Sequence, residues 1–302
     1  MSEIPPKRPI WATALLVVLP LWLIASGVFA MWYYFHRERK SELLEQERFA
    51  TTVSQVSLED DLRKIVEVIG ERNGSSEKAA ANLGRMASMI EGTLGPANTG
   101  YTVRRIAGPA EWPLLQVTLR GSDAEAKAVW VISSYDSRPG SPGVEANASG
   151  VAATLAAAQA LAAEKPVTTV HFLFVPHAND PEGPVVETAA QVKSLATDAK
   201  AILCVESMGA GETLWLTSRD ATAFPLGKVS GLGRIKGAEV VCLGEDQDLA
   251  SVLFEMNLPA VRVATRPMVM PDESDAETGP PGFLSASAGR LVELIRRCAA
   301  PR

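Results

Sequence analysis

The chain offers few of the side chains that hydrolytic chemistry uses. It has three histidines, His36, His171 and His177, and three cysteines, Cys204, Cys242 and Cys298, in 302 residues. Imidazole and carboxylates crowd together at one place only, His177, Asp180 and Glu182, and with Glu145 and Glu206 these could form a nitrogen- and oxygen-rich metal site. The competing reading makes Pro176 to Pro184 a solvated loop whose charges share no partner. A serine nucleophile needs a base, and only His177 could serve Ser134 or Ser149, neither of which lies in a nucleophile-elbow pattern. The cysteines show neither zinc-knuckle nor disulfide-framework spacing, and Cys204 and Cys242 read as core residues. His171 reads as a half-buried strand residue and His36 as part of a membrane boundary. Asn147-Ala148-Ser149 is a glycosylation sequon that matters only in a glycosylating compartment.

Short apolar runs and helical periods supply the elements that would position these groups. Tyr101 to Ile106, Leu114 to Leu119, Val129 to Ser133, Val170 to Val175, Ala201 to Glu206 and Ala260 to Ala264 are bounded by Gly, Pro or charge and read as strands. Glu77 to Glu91, Gly150 to Ala163 and Ser285 to Arg297 read as helices. A strand, loop, helix and strand in that order, from Val129 to Val175, form a βαβ crossover, so the sheet should be largely parallel and covered by helices. In such sheets a ligand site lies in the loops beyond the carboxyl ends of the strands, which is where Ser134 to Gly150, His177 to Asp180 and Glu206 fall.

Ile10 to Phe35 contains no charged residue, and at about 1.5 Å per residue a helix of this length exceeds a hydrocarbon core of about 30 Å. Trp11 at one end and Trp32, Tyr33 and Tyr34 at the other suit the headgroup regions. A cleaved signal is the alternative, with Lys7 and Arg8 as its charged region and Val28 and Ala30 at a small-residue site. Against it, the apolar run continues past Ala30 into the aromatic residues and then Arg37, Arg39 and Lys40. The expected organisation is a tail over 1–9, a single membrane span over 10–35, a helical stalk over 36–57 and an α/β domain over 58–302. The large domain is expected on the extracytoplasmic side. A net charge of -6 and a pI near 5.3 leave no broad positive field to attract phosphates, so nucleic acid is excluded as a partner.

The loop after the Val129 strand resembles a known family. In the di-zinc aminopeptidases, metallopeptidase family twenty-eight, this stretch typically reads like HYDS and then GSPGADDNASGVAA, and GSPGVEANASGVAATL here aligns without a gap. GERN at Gly70 to Asn73, GYTV at Gly100 to Val103, HFLFVPHAND, CVESMG and NLPAV also resemble family segments, so the likeness runs from about Leu58 to Arg297. It implies a three-layer α/β sandwich with a mixed, mostly parallel sheet, and chemistry by two zinc ions that polarise a carbonyl and activate water.

Carried over residue by residue, the resemblance places the first histidine ligand on Ser134, the bridging aspartate on Ala146, the general-base glutamate on Ala178 and its neighbouring glutamate ligand on Asn179. Glu206 keeps the acidic ligand after the next strand. Asp136 keeps the aspartate that orients the first histidine, and lacks that imidazole partner. The last histidine ligand should fall near Met268 to Asp275, where none exists. Alanine neither coordinates a metal nor moves a proton, and loss of the base alone removes about 10²- to 10⁴-fold in rate. The resemblance therefore implies a membrane-anchored pseudopeptidase without cofactor or catalytic residue, binding a peptide or protein ligand in the old substrate cleft or bracing a complex. The alternative is an active zinc aminopeptidase with a displaced site, for which Glu206, His177 and Glu145 are the candidate ligands.

Overall fold

The alternation of apolar runs with helical segments produces a sheet that buries both of its faces. The computed structural model describes Leu15 and residues 18–36, 53–180, 183–219, 224–227, 229, 231–242, 248–270, 272–280 and 282–301. It divides into an N-terminal unit, Met1–Thr51, and a second unit, Thr52–Arg302.

In the first unit, α1 spans Val18–His36 and is long and apolar enough to cross a membrane, a description that a signal sequence also satisfies. Its side chains, Trp22, Phe29 and Trp32 among them, are exposed. Of the expected span over 10–35, residues 10–14, 16 and 17 lie outside the described residues, as does most of the expected stalk.

The second unit is a three-layer α/β sandwich. Its eight-stranded sheet has the order β1-β2-β4-β3-β5-β8-β6-β7. The strands are β1 (Arg104–Ile106), β2 (Leu114–Leu119), β3 (Ala128–Ser134), β4 (Val170–Val175), β5 (Ala199–Val205), β6 (Leu214–Ser218), β7 (Ala238–Cys242) and β8 (Ala260–Ala264). Strands β4, β3, β5 and β8 run parallel, with Val131 opposite Phe172 and Leu203, so the expected crossover is present. Strands β1 and β2 add antiparallel at one edge, and β6 joins antiparallel to β8 at the other.

Side chains alternate across the pleat, and this sorts the core into two clusters. On one face Leu115, Val117, Val131, Phe172, Leu203 and Val261 pack with α2 (Gln55–Arg63), α3 (Glu77–Leu94), α5 (Ser149–Leu161) and α8 (Phe283–Ala299). On the other, Trp130, Ile132, Leu173, Ile202 and Cys204 meet α6 (Val185–Leu195) and α7 (Leu249–Glu255). A short helix, α4 (Pro96–Thr99), lies between α3 and β1.

Local signals start and stop these helices. Ser76 accepts from the Ala79 amide at 3.1 Å at the start of α3, and Asp248 accepts from the Ser251 amide at 2.7 Å at the start of α7. Cys204 is buried as expected, whereas Cys242 is exposed. Cys242 ends β7, an outer strand whose Glu239 and Val240 are also exposed, so the apolar content of this run does not mark core. His171 is half-buried, its ring 4.3 Å from that of Trp130 and its Nδ1 within 2.9 Å of the Thr118 hydroxyl. Burial lowers its pKa to about 4.

Candidate functional site

Strands β3, β4, β5 and β8 point their carboxyl ends the same way, and the loops that leave them carry the expected site. Strand β3 ends at Ser134, and two residues later the Asp136 carboxylate is fully buried. A buried carboxylate needs donors, and Asp136 has several. Its oxygens accept from the backbone amides of Ala178 at 3.2 Å, Asn179 at 2.9 Å and Asp180 at 2.8 Å, and from the Ser134 hydroxyl. The loop after β4 thus closes round the carboxylate as a nest of amides. Ser134, Asp136, Ala178 and Asn179 lie together, and the Ser134 hydroxyl, at the position the resemblance gives to the imidazole, bonds to Asp136 directly.

The loop from Pro176 is not solvated where it was expected to be. His177 is 3% exposed and Asp180 8%; Glu182 lies outside the described residues. The backbone of His177 is left-handed, with φ of 57°, and neither ring nitrogen has a hydrogen-bond partner. Burial lowers the His177 pKa, against the opposing pull of Asp136 and Asp180. The imidazole is therefore neutral at pH 7.

Arg72 fixes the start of the loop that follows β3. Its guanidinium is fully buried and donates to the carbonyls of Tyr135 at 3.0 Å, Gly70 at 2.6 Å and Pro142 at 2.8 Å. Burial lowers its pKa to about 10, which leaves it a cation at pH 7. Sequence reasoning assigned Arg72 no role, although the GERN stretch that contains it carries part of the resemblance.

Further along the loop, Glu145 and Ala146 are held by partners from other loops. Their amides donate to the Asp275 carboxylate at 2.7 and 3.0 Å. The Glu145 side chain accepts from the Gly209 amide at 3.0 Å and the Ser149 hydroxyl at 3.1 Å. Burial raises its pKa, the first of several influences. A side chain at Gly209 would place its Cβ 2.3 Å from Glu145 Oε1, so a glycine is needed there for the carboxylate to fit. Asn147 is fully buried, and its amide donates to Ser133 Oγ, the Ser134 carbonyl and the Val205 carbonyl at 3.1 to 3.2 Å. This ties β3 to β5 and leaves the sequon inaccessible in the folded domain.

Glu206, the one acidic ligand position that is retained, follows β5. Its Oε2 accepts from Arg262 Nε at 2.6 Å. Arg262 sits on β8, 1% exposed, with Nε also 3.6 Å from Asp248 and one terminal nitrogen 2.8 Å from the Arg266 carbonyl. A guanidinium so placed supplies the positive charge that a buried carboxylate requires.

Zinc needs imidazole, thiolate or carboxylate donors converging within about 2 Å of one point. Ser134, Ala146, Ala178 and Asn179 offer none of these groups, and Glu206 is paired with Arg262. Among the described residues, no three His, Cys, Asp or Glu side chains are grouped to hold a metal. The residues at these positions do not fit a di-zinc centre.

Residues 115–220 match the model of Peptidase family M28. No curated protein sequence matches the chain. Among solved structures, the LapA aminopeptidase of Legionella pneumophila superposes with a TM-score of 0.64 at 15% identity, covering 85% of this chain and 75% of that one. A leucine aminopeptidase precursor from Bacteroides thetaiotaomicron gives 0.61 at 12% identity, over 81% of this chain and 97% of that one. A glutaminyl cyclase from Tannerella forsythia gives 0.61 at 14% identity, over 81% and 98%. The mixed eight-stranded sheet with helices on both faces is an M28-like α/β fold.

Proposed function

We propose that the chain is a membrane-anchored, M28-like domain without peptidase chemistry, which binds a peptide or protein partner or braces a membrane complex. One observation carries this reading: Glu206, the acid retained at a ligand position, is neutralised by the buried Arg262 rather than left for a metal. The general-base position is Ala178, and a methyl group takes no proton from water. In this reading α1 holds the domain at the membrane, with the domain on the extracytoplasmic side. Ser134, Asp136, Ala146, Ala178, Asn179 and Glu206 are vestigial, kept for the shape of the strand ends.

The test is metal analysis and aminopeptidase turnover of the full-length chain in detergent. The expected result is zinc well below one equivalent and turnover no higher than the buffer control. Zinc near one or two equivalents together with turnover would overturn the reading.

A second reading, a zinc hydrolase with a displaced site, is favoured by one observation only, the buried and unpartnered imidazole of His177. It requires that His177→Ala abolish metal binding and turnover together. If the parent chain shows neither, this second reading fails.

A further inference from the structure

The segment after β8 is joined to the loop after β3 by a set of polar contacts. One Arg138 terminal nitrogen donates to the Glu273 carbonyl at 3.2 Å and the other to the Met270 carbonyl. Ser141 Oγ and the Val144 amide donate to the Asp275 carbonyl at 3.1 and 3.2 Å. The Asp275 carboxylate takes the amides of Glu145 and Ala146. Arg138 itself is buried, although it pairs with carbonyls rather than with a carboxylate.

Little apolar surface backs these bonds. Of residues 266–270 and 272–275, only Val269 and Asp275 are buried, and Pro267, Met270, Asp272, Glu273 and Ser274 are exposed. Among its described residues the segment contains neither helix nor strand. A stretch with few buried apolar contacts and mostly exposed backbone opens at a lower free energy than the strands beneath it.

We propose that residues 266–270 and 272–275 form a strap that covers the Glu145–Ala146 end of the site and opens as a local unit, with Arg138 and Asp275 as its two latches. Opening frees the amides of Glu145 and Ala146 and uncovers the Ala146 side chain, while the sheet and the Asp136 nest stay intact. The inference concerns access to the site and does not depend on the proposed function.

The test uses the full-length chain in detergent and a maleimide probe, read by mass spectrometry. Ala146→Cys supplies the reporter, the exposed Cys242 is the fast internal reference, and the buried Cys298 reports unfolding. The reporter should react at least about tenfold more slowly than Cys242. Adding Arg138→Ala should speed it by at least about tenfold, the effect of losing its charge-assisted hydrogen bonds to Met270 and Glu273 on an opening equilibrium, with Cys298 still protected. A reporter that reacts as fast as Cys242 in the latched chain overturns the proposal, as does a folded Arg138→Ala variant without acceleration.

Should Arg138→Ala expose Cys298 as well, hydrogen exchange of the unsubstituted chain decides. Glu145 and Ala146 amides exchanging well before those of β3 support a local strap. Exchange of both only together with β3 excludes it.

Discussion

Arg262 Nε lies 2.6 Å from Glu206 Oε2, and the two side chains are 1% and 14% exposed. The guanidinium is held between Glu206 and Asp248, so removing it strands two carboxylates in a water-poor space. Arg262→Ala should cost about 3–5 kcal/mol, the usual penalty for breaking a buried pair from one side. Glu206→Gln keeps an acceptor facing Arg262 Nε and leaves Asp248 in place, so it should cost less, about 1–2 kcal/mol. Urea midpoints of the two variants check this order, and a Glu206→Gln loss equal to that of Arg262→Ala would show that the carboxylate charge matters more than the account allows.

Asp136 is the hub of the loop after β4, and its role depends on accepting at both oxygens. In Asp136→Asn one of those atoms becomes a donor that must face an amide of Ala178, Asn179 or Asp180. The expected loss is about 2–4 kcal/mol, from one broken charge-assisted bond and one opposed donor. Ser134→Ala removes a single donor among several, so about 1 kcal/mol is expected. Thermal unfolding of the two variants separates the hub from its accessory, and equal losses would count against the nest.

The elements that were legible in sequence are those whose burial is uniform along the run. Strands β2, β4 and β8 begin and end where their apolar runs do, because both faces are covered and nearly every residue in them is buried. Strands β6 and β7 gave no such signal. Glu239 and Val240 are exposed on the outer strand, so composition there says nothing about pairing. The losses at the site were readable from three separate stretches, Ser134 in SYDS, Ala146 in the gapless GSPGVEANASGVAATL, and Ala178 and Asn179 in HFLFVPHAND. Its replacements were not. Arg262 sits inside an apolar strand run 56 residues beyond Glu206, and Asp275 lies 129 residues beyond Ala146, so only the register of β5 on β8 and the path of the following segment bring each to its partner.

Stability should fall on mild acidification. His171 titrates at about 4 in the folded chain because of its burial, against about 6.5 when unfolded. Between those values the unfolded chain binds more protons, so folding free energy is lost as pH drops from about 6.5 towards 4. His177, lowered by burial, acts in the same direction. His171→Gln, which can still bond to Thr118, should reduce the dependence of the melting temperature on pH across this range. An unchanged slope would mean that protonated His171 is accommodated in the fold.

Asn147 carries a glycosylation sequon in a place where a glycan cannot fit. Its amide nitrogen already serves three acceptors, and Gly150 packs so closely that a Cβ there would lie 2.0 Å from Asn147 Oδ1 and 2.9 Å from the Glu206 backbone. A glycan on this nitrogen would break the tie between β3 and β5 and force the loop outward from the sheet. Folded protein from a glycosylating host should therefore have the unmodified mass at the peptide containing Asn147, and glycan-removing enzyme should leave it unchanged. Asn147→Asp, the residue that such an enzyme leaves behind, should cost about 2–4 kcal/mol, because a carboxylate would face the Ser134 and Val205 carbonyls that the amide now satisfies. Recovery of folded, fully glycosylated protein with unchanged stability would show that the loop has room that its packing denies.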